Sequence, residues 1–174
     1  MFLNRLKEIS ADKALKKVLS SGYLSDAVST GKINSFACIL NIDEFNHAEV
    51  FFELAKELDL RQDQFKIIGF TEGSTDNHSY SFPVFSPKDL KWKGKVENGD
   101  VQEFLDKKYD VLLNYYNDAP LILMLVSAYT KADFKVGLLS KNEALNNMIM
   151  DIRPKEFSKF KTEFVKYLSI LKKI

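Results

Sequence analysis

The sequence predicts a single three-layer α/β domain, with a mainly parallel sheet of about five strands and an amphipathic helix at each end. Three observations point there. Short, nearly continuous apolar runs recur along the chain, as expected of strands buried on both faces. From residue 36 onward these runs alternate with stretches whose apolar residues return at helical spacing, the pattern of a parallel sheet covered by helices. The 174 residues, 45% hydrophobic and 28% charged, have the length and balance of one ordinary globular domain.

Residues 2–20 read as helical from Leu3, Leu6, Ile9, Leu15, Val18 and Leu19, with Ser10 placed to cap a second segment and Gly22 as a stop. The Ser-, Thr- and Gly-rich stretch 22–32 reads as a linker, so residues 1–34 form a basic N-terminal segment ahead of an α/β domain at 35–174. Phe36–Ile42 is the first strand, Asp43 caps the next helix, and helix 44–58 carries Phe45, Ala48, Phe51, Phe52, Ala55 and Leu58 on one stripe. Phe65–Phe70 is the second strand. The segment 71–100 follows, irregular and holding Gly73, Pro83, Pro87, Gly94 and Gly99; its HSYSFPVF string suits an edge strand or hairpin, and a loop this long is often functional. Asp100 caps a short helix, Asp110–Tyr115 is a strand, and Pro120 opens a buried helix over LILMLVSAYTKA. Phe134–Leu139 and MIMDI (148–152) complete the sheet, joined through 142–147. The closing helix, 155–173, aligns Phe157, Phe160, Phe164, Tyr167, Leu168 and Leu171.

The net charge of +1 hides an asymmetry. Residues 1–34 carry 6 basic and 3 acidic side chains, residues 35–152 carry 12 and 19, and residues 153–174 carry 7 and 2. An acidic body is thus flanked by basic ends. The total excludes a uniformly basic nucleic-acid binder, but a basic face shared by the two terminal helices would suit RNA, an anionic membrane surface or an acidic protein. The N-terminal MFLNRLKEIS leads into no apolar core of a signal peptide. The longest apolar run, Leu121–Val126, is far short of the roughly 20 residues a spanning helix needs. The expectation is a cytoplasmic protein without an integral membrane segment.

One cysteine excludes an internal disulfide and a multi-cysteine metal site, and two histidines, His47 and His78, offer little to zinc, so no metal or cofactor is expected. Cys38 sits inside FACIL and reads as a buried thiol. The phosphate-binding GxxxxGK[ST] and GxGxxG patterns, GxSxG and HExxH are all missing. Three places can carry a ligand. Asp43 and Glu44 end the first strand, where carboxylates bind sugar hydroxyls or simply cap a helix. Tyr115, Tyr116 and Asn117 end the third strand, near the edge where open parallel sheets bind ligands, and offer flat rings and an amide. Asp89–Lys95 interleaves the only tryptophan with lysines: alternation puts Trp92 on one face and Lys91, Lys93 and Lys95 on the other, suited to stacking on a base or holding an anion.

FACILNIDEF, FKIIGF, DLKWKGKVENGDVQEFLDKKYDVLLNYY and KADFKVGLL, spread over residues 36–171, resemble a family of uncharacterised small α/β proteins of Bacteroidota. That resemblance implies a cytoplasmic bacterial protein with a Rossmann-like body and brings no catalytic residues. Residues 109–137, with YDVLL, an apolar helix, Lys131-Ala132 and Lys135-Val136-Gly137, are similar to the middle of the N-terminal half of heptosyltransferase-like glycosyltransferases. The chain departs from them in having Asn114 where they place an acidic residue, and in lacking room for their second, nucleotide-sugar-binding domain.

Two function classes follow. The first is a non-catalytic binding module that docks on a protein or anionic partner through its basic terminal helices or the Trp92 loop. The second is a small enzyme or ligand sensor binding a nucleotide, sugar or related metabolite at the strand ends through Asp43, Trp92, Lys93, Tyr115, Tyr116 and Asn117. Self-association through exposed members of the 14 phenylalanines is a further reading.

Overall fold

Among the described residues six strands form one sheet: β1 (Phe36–Asn41), β2 (Phe65–Phe70), β3 (Val84–Phe85), β4 (Lys108–Tyr115), β5 (Lys131–Leu138) and β6 (Met148–Met150). Their order is β3-β2-β1-β4-β5-β6, and every neighbouring pair is parallel. This computed structural model describes residues 1–24, 31–75, 80–138 and 143–174. The expected parallel sheet gains a sixth strand, because the HSYSFPVF region supplies the parallel edge strand β3. His78 and part of the connection from β5 to β6 lie outside the described residues.

Among the described residues five α-helices cover the sheet: α1 (Phe2–Leu19), α2 (Glu49–Glu57), α3 (Gly99–Asp106), α4 (Leu121–Tyr129) and α5 (Phe157–Ile170). Alternation along each strand feeds two apolar layers. On one face Phe36, Cys38 and Leu40 of β1 meet Phe51 and Leu54 of α2 and Phe160, Phe164 and Leu168 of α5. On the other, Ala37 and Ile39 meet Ala11 and Leu15 of α1, Val101 and Phe104 of α3 and Leu125 and Val126 of α4. This explains why the strands read as unbroken apolar runs: both parities are buried. The two basic helices, α1 and α5, therefore pack on opposite faces of the sheet, and the single basic face that both would share does not form.

Several boundaries differ from the sequence reading, each for a local reason. Helix α1 runs straight through Ser10, whose hydroxyl donates to Lys7 O (2.7 Å) and so starts no second segment. Helix α2 begins at Glu49, not residue 44, because Asp43 is drawn away from the helix (below). Asn98, not Asp100, caps α3: its side-chain oxygen accepts from the amides of Asp100 and Val101. Strands β4 and β5 begin earlier than expected, with Lys108 in register with Lys131.

Candidate functional site

In open α/β sheets of this order, ligands bind beyond the carboxyl ends of the strands where the connections diverge, here between β1 and β4. Leu40 lies beside Tyr115 in the register, so the turn after β1 stands level with the turn after β4. A shallow groove of about 540 Å³ lies there, lined by Asp43, Glu44, Asn117, Arg153, Pro154 and Lys155.

The carboxylates at this edge tie strands together. Asp43 Oδ1 accepts from the Thr71 hydroxyl (2.8 Å) and Oδ2 from the Glu72 amide (2.7 Å), joining the ends of β1 and β2. Glu44 accepts from the amides of Asn117 (2.9 Å) and Asp118 (3.0 Å), joining the ends of β1 and β4. Partial burial pushes the Glu44 carboxyl above its ordinary range, and the Asp118 and Asn117 amides oppose that shift. Asn41 Nδ2 donates to Asp118 O (3.3 Å), and its Oδ1 accepts from the Asp43 amide (3.1 Å). Arg153 and Lys155 arrive from the segment after β6; the Arg153 guanidinium donates to Glu156 (3.2 Å). The groove therefore has charges of both signs along its walls.

Of the residues expected at a ligand site, the structure brings Asp43 and Asn117 together in this groove and takes the others elsewhere. Tyr115 is the last residue of β4 and Tyr116 the next, so the two rings point to opposite faces. Tyr115 is buried among Phe45, Phe51 and Phe160, and its hydroxyl donates to Pro154 O (2.7 Å). Tyr116 is buried on the other face, its hydroxyl 2.6 Å from Ser127 Oγ. Burial raises both phenols well above their ordinary range. Arg153 and Lys155 were outside the sequence reading of this site, since only the fold brings residues so distant in sequence to β1. His47 is exposed beside Glu49 (3.1 Å), and burial pushes the Cys38 thiol up, away from reactivity.

Trp92 and Lys93 belong to another surface. The expected alternation of Trp92 against its lysines is not found, because residues 92–94 form a 3-10 turn with Lys93 in the left-handed region (φ 59°). Leu90 and Val96 bridge antiparallel beneath this turn, and both are buried against the α1 face. The turn is pinned to α1: the Lys93 amide donates to Ser10 Oγ (3.0 Å). Gly94, at φ +72°, is wedged so closely that a Cβ would stand 2.9 Å from the Tyr129 hydroxyl and 3.0 Å from Ala14 Cβ. Trp92 is left half exposed, at 51%.

Beside it, α1 changes character along its length. Its second half buries Ala11 and Leu15, while its first half projects apolar residues into solvent: Phe2 is 74% exposed, Leu3 66%, Ile9 44% and Leu6 37%. The sequence signal was present in the Leu3, Leu6, Ile9 spacing, which reads equally well as a core stripe; only the tertiary structure shows that none of the described residues covers it.

A family model matches residues 7–171, nearly the whole chain. The chain belongs to the DUF6913 family. That family is described as one of unknown function. Comparison of this DUF6913 chain with the curated proteins and with the solved structures found no match. Among the described residues no group of three or more His, Cys, Asp or Glu is placed to hold a metal ion, and no helix is long and apolar enough to cross a membrane.

Proposed function

We propose that the protein is a non-catalytic binding module, and that its docking surface is the projecting half of α1 together with the Trp92 turn. The observation that carries this reading is the exposure of Phe2, Leu3, Leu6 and Ile9 on one helix beside a half-exposed tryptophan. Apolar side chains gathered in this way mark interaction surfaces, whereas singly scattered ones do not. The strand-end groove supports the same conclusion from the other direction, since both oxygens of Asp43 and of Glu44 already bind the protein's own groups. The setting is a bacterial cytoplasm, as the resemblance to small proteins of Bacteroidota implies.

Trp92 is the chain's only tryptophan and therefore a built-in reporter. Its emission is to be followed while the protein is titrated with anionic vesicles, with RNA, and with itself by concentration. Docking shifts the emission to shorter wavelength and shields the ring from acrylamide for at least one of these. Unchanged emission and unchanged quenching for all of them overturn the reading.

A second reading, a ligand sensor or small enzyme, rests on the groove of about 540 Å³ at the β1–β4 divergence, whose lining includes Arg153 and Lys155 as well as Asp43 and Glu44. Thermal-shift measurements with nucleotides and nucleotide sugars test it: a rise in melting temperature that Arg153→Ala and Lys155→Ala abolish would replace the first reading with this one.

A further inference from the structure

The chemistry of the α1–Trp92 surface narrows its partner, on the premise that the docking reading above is right. At about 100° per residue, Phe2, Leu3, Leu6 and Ile9 fall on one arc of α1 facing away from Ala11 and Leu15. Continuing that arc toward the C-terminal end of the helix leads to Lys13 and Lys17, both exposed. Glu8 and Asp12 fall on the flank opposite Ser10, which touches the Trp92 turn, and Asp12 is held by Lys16 (2.6 Å). On the side of the turn, Lys91 and Lys93 flank Trp92 and are exposed. The surface is thus apolar at its outer end, cationic along its length and bordered by an indole.

Three kinds of occupant can be compared on that chemistry. A second copy docked by a two-fold axis through the outer end would cover Phe2, Leu3 and Leu6 but offer no carboxylate to Lys13 and Lys17, since Glu8 and Asp12 lie on the opposite flank. A nucleic acid would take up the lysines and Trp92 but offers nothing to Leu3, Leu6 and Ile9, which have no π-face for a base. An anionic bilayer surface satisfies all of them: apolar side chains enter the boundary between headgroups and acyl chains, the indole lies at headgroup level, and lysines reach lipid phosphates. We infer that α1 and the Trp92 turn seat the protein on an anionic lipid surface, with α1 lying in the plane of the membrane.

Vesicle co-sedimentation tests this with the full chain. The protein pellets with vesicles of equimolar phosphatidylcholine and phosphatidylglycerol and stays in solution with phosphatidylcholine alone. Leu6→Asp lowers the bound fraction at least tenfold, and Trp92→Ala and Lys13→Glu/Lys17→Glu lower it several-fold. Salt at about 1 M, where the screening length is about 3 Å, lowers it as well. Because Leu6 and Trp92 lie at the surface, each variant is expected to keep the melting temperature and circular dichroism of the parent, and that is measured alongside. Failure to pellet with anionic vesicles overturns the lipid inference. If the Trp92 emission still responds to RNA or to protein concentration, the docking reading stands with a different partner; if it responds to nothing, both fall. Equal pelleting with neutral and anionic vesicles overturns the role given to the lysines, and pelleting that survives Leu6→Asp with unchanged affinity overturns the role given to α1.

Discussion

Asp43 uses both carboxylate oxygens on the end of β2, so its first contribution is to stability. Asp43→Ala strands the buried Thr71 hydroxyl and the Glu72 amide and is expected to destabilise the fold by about 1–3 kcal/mol, measured as a lower urea midpoint at unchanged m-value. Lys135 gives a second test. It is buried, its ammonium lies 2.9 Å from Ser127 O and over the Tyr23 ring, and its pKa is pulled down to about 7 by desolvation. An unfolded lysine titrates near pH 10.4, so between about pH 7 and about pH 10 the unfolded chain holds a proton that the folded chain has released. Stability should therefore rise with pH across that window and be flat below it with respect to this group. Lys135→Met should remove the slope in a series of denaturant titrations from pH 6 to pH 9. At this scale the sequence was only partly legible. Period-two alternation by itself separates Tyr115 from Tyr116, since neighbours along an extended chain cannot share a pocket. The attachment of Asp43 to Thr71 was hidden, because a carboxylate before a helix has the same local signature whether it caps that helix or bonds a distant loop.

Among the elements, α1 shows how one helix can serve two purposes. Leu15→Ala removes a side chain buried against α4 and should cost about 2–4 kcal/mol, whereas Leu6→Ala should stay within about 0.5 kcal/mol; thermal melts of the two variants check the contrast. Strands β1, β2, β4 and β5 were visible in the sequence because burial on both faces makes them apolar through most of their length. The edge strands were harder: β3 has two residues and β6 three, too few to establish a period. The Trp92 segment misled for a related reason. Its Lys-Trp-Lys-Gly-Lys alternation imitates a strand, but Gly94 fits a left-handed backbone in close contact with α1 and α4, and the chain turns there instead.

Across the whole molecule, the −7 of residues 35–152 and the positive ends do not resolve into one basic side, because α1 and α5 cover opposite faces. Each basic helix therefore meets solvent separately: α1 gathers Phe2, Leu3, Leu6 and Ile9 uncovered beside its lysines, while α5 leaves Tyr167 and Ile170 exposed near its end. If the apolar end of α1 is reserved for lipid, the protein in dilute buffer is a monomer; light scattering should give a mass near 20.0 kDa, unchanged by Leu6→Asp. The strand order also governs how the chain comes together during synthesis. β1 is central, bonded to β2 on one side and β4 on the other, and α5 is the last element to reach the layer that covers Phe36 and Leu40. While the ribosome works through residues 71–107, one edge of an almost entirely apolar strand therefore stays open, and closure waits for contacts far apart in sequence. Folding of this kind is slow, in the range where chaperones compete with aggregation, so the nascent chain's period of greatest exposure falls before the arrival of β4.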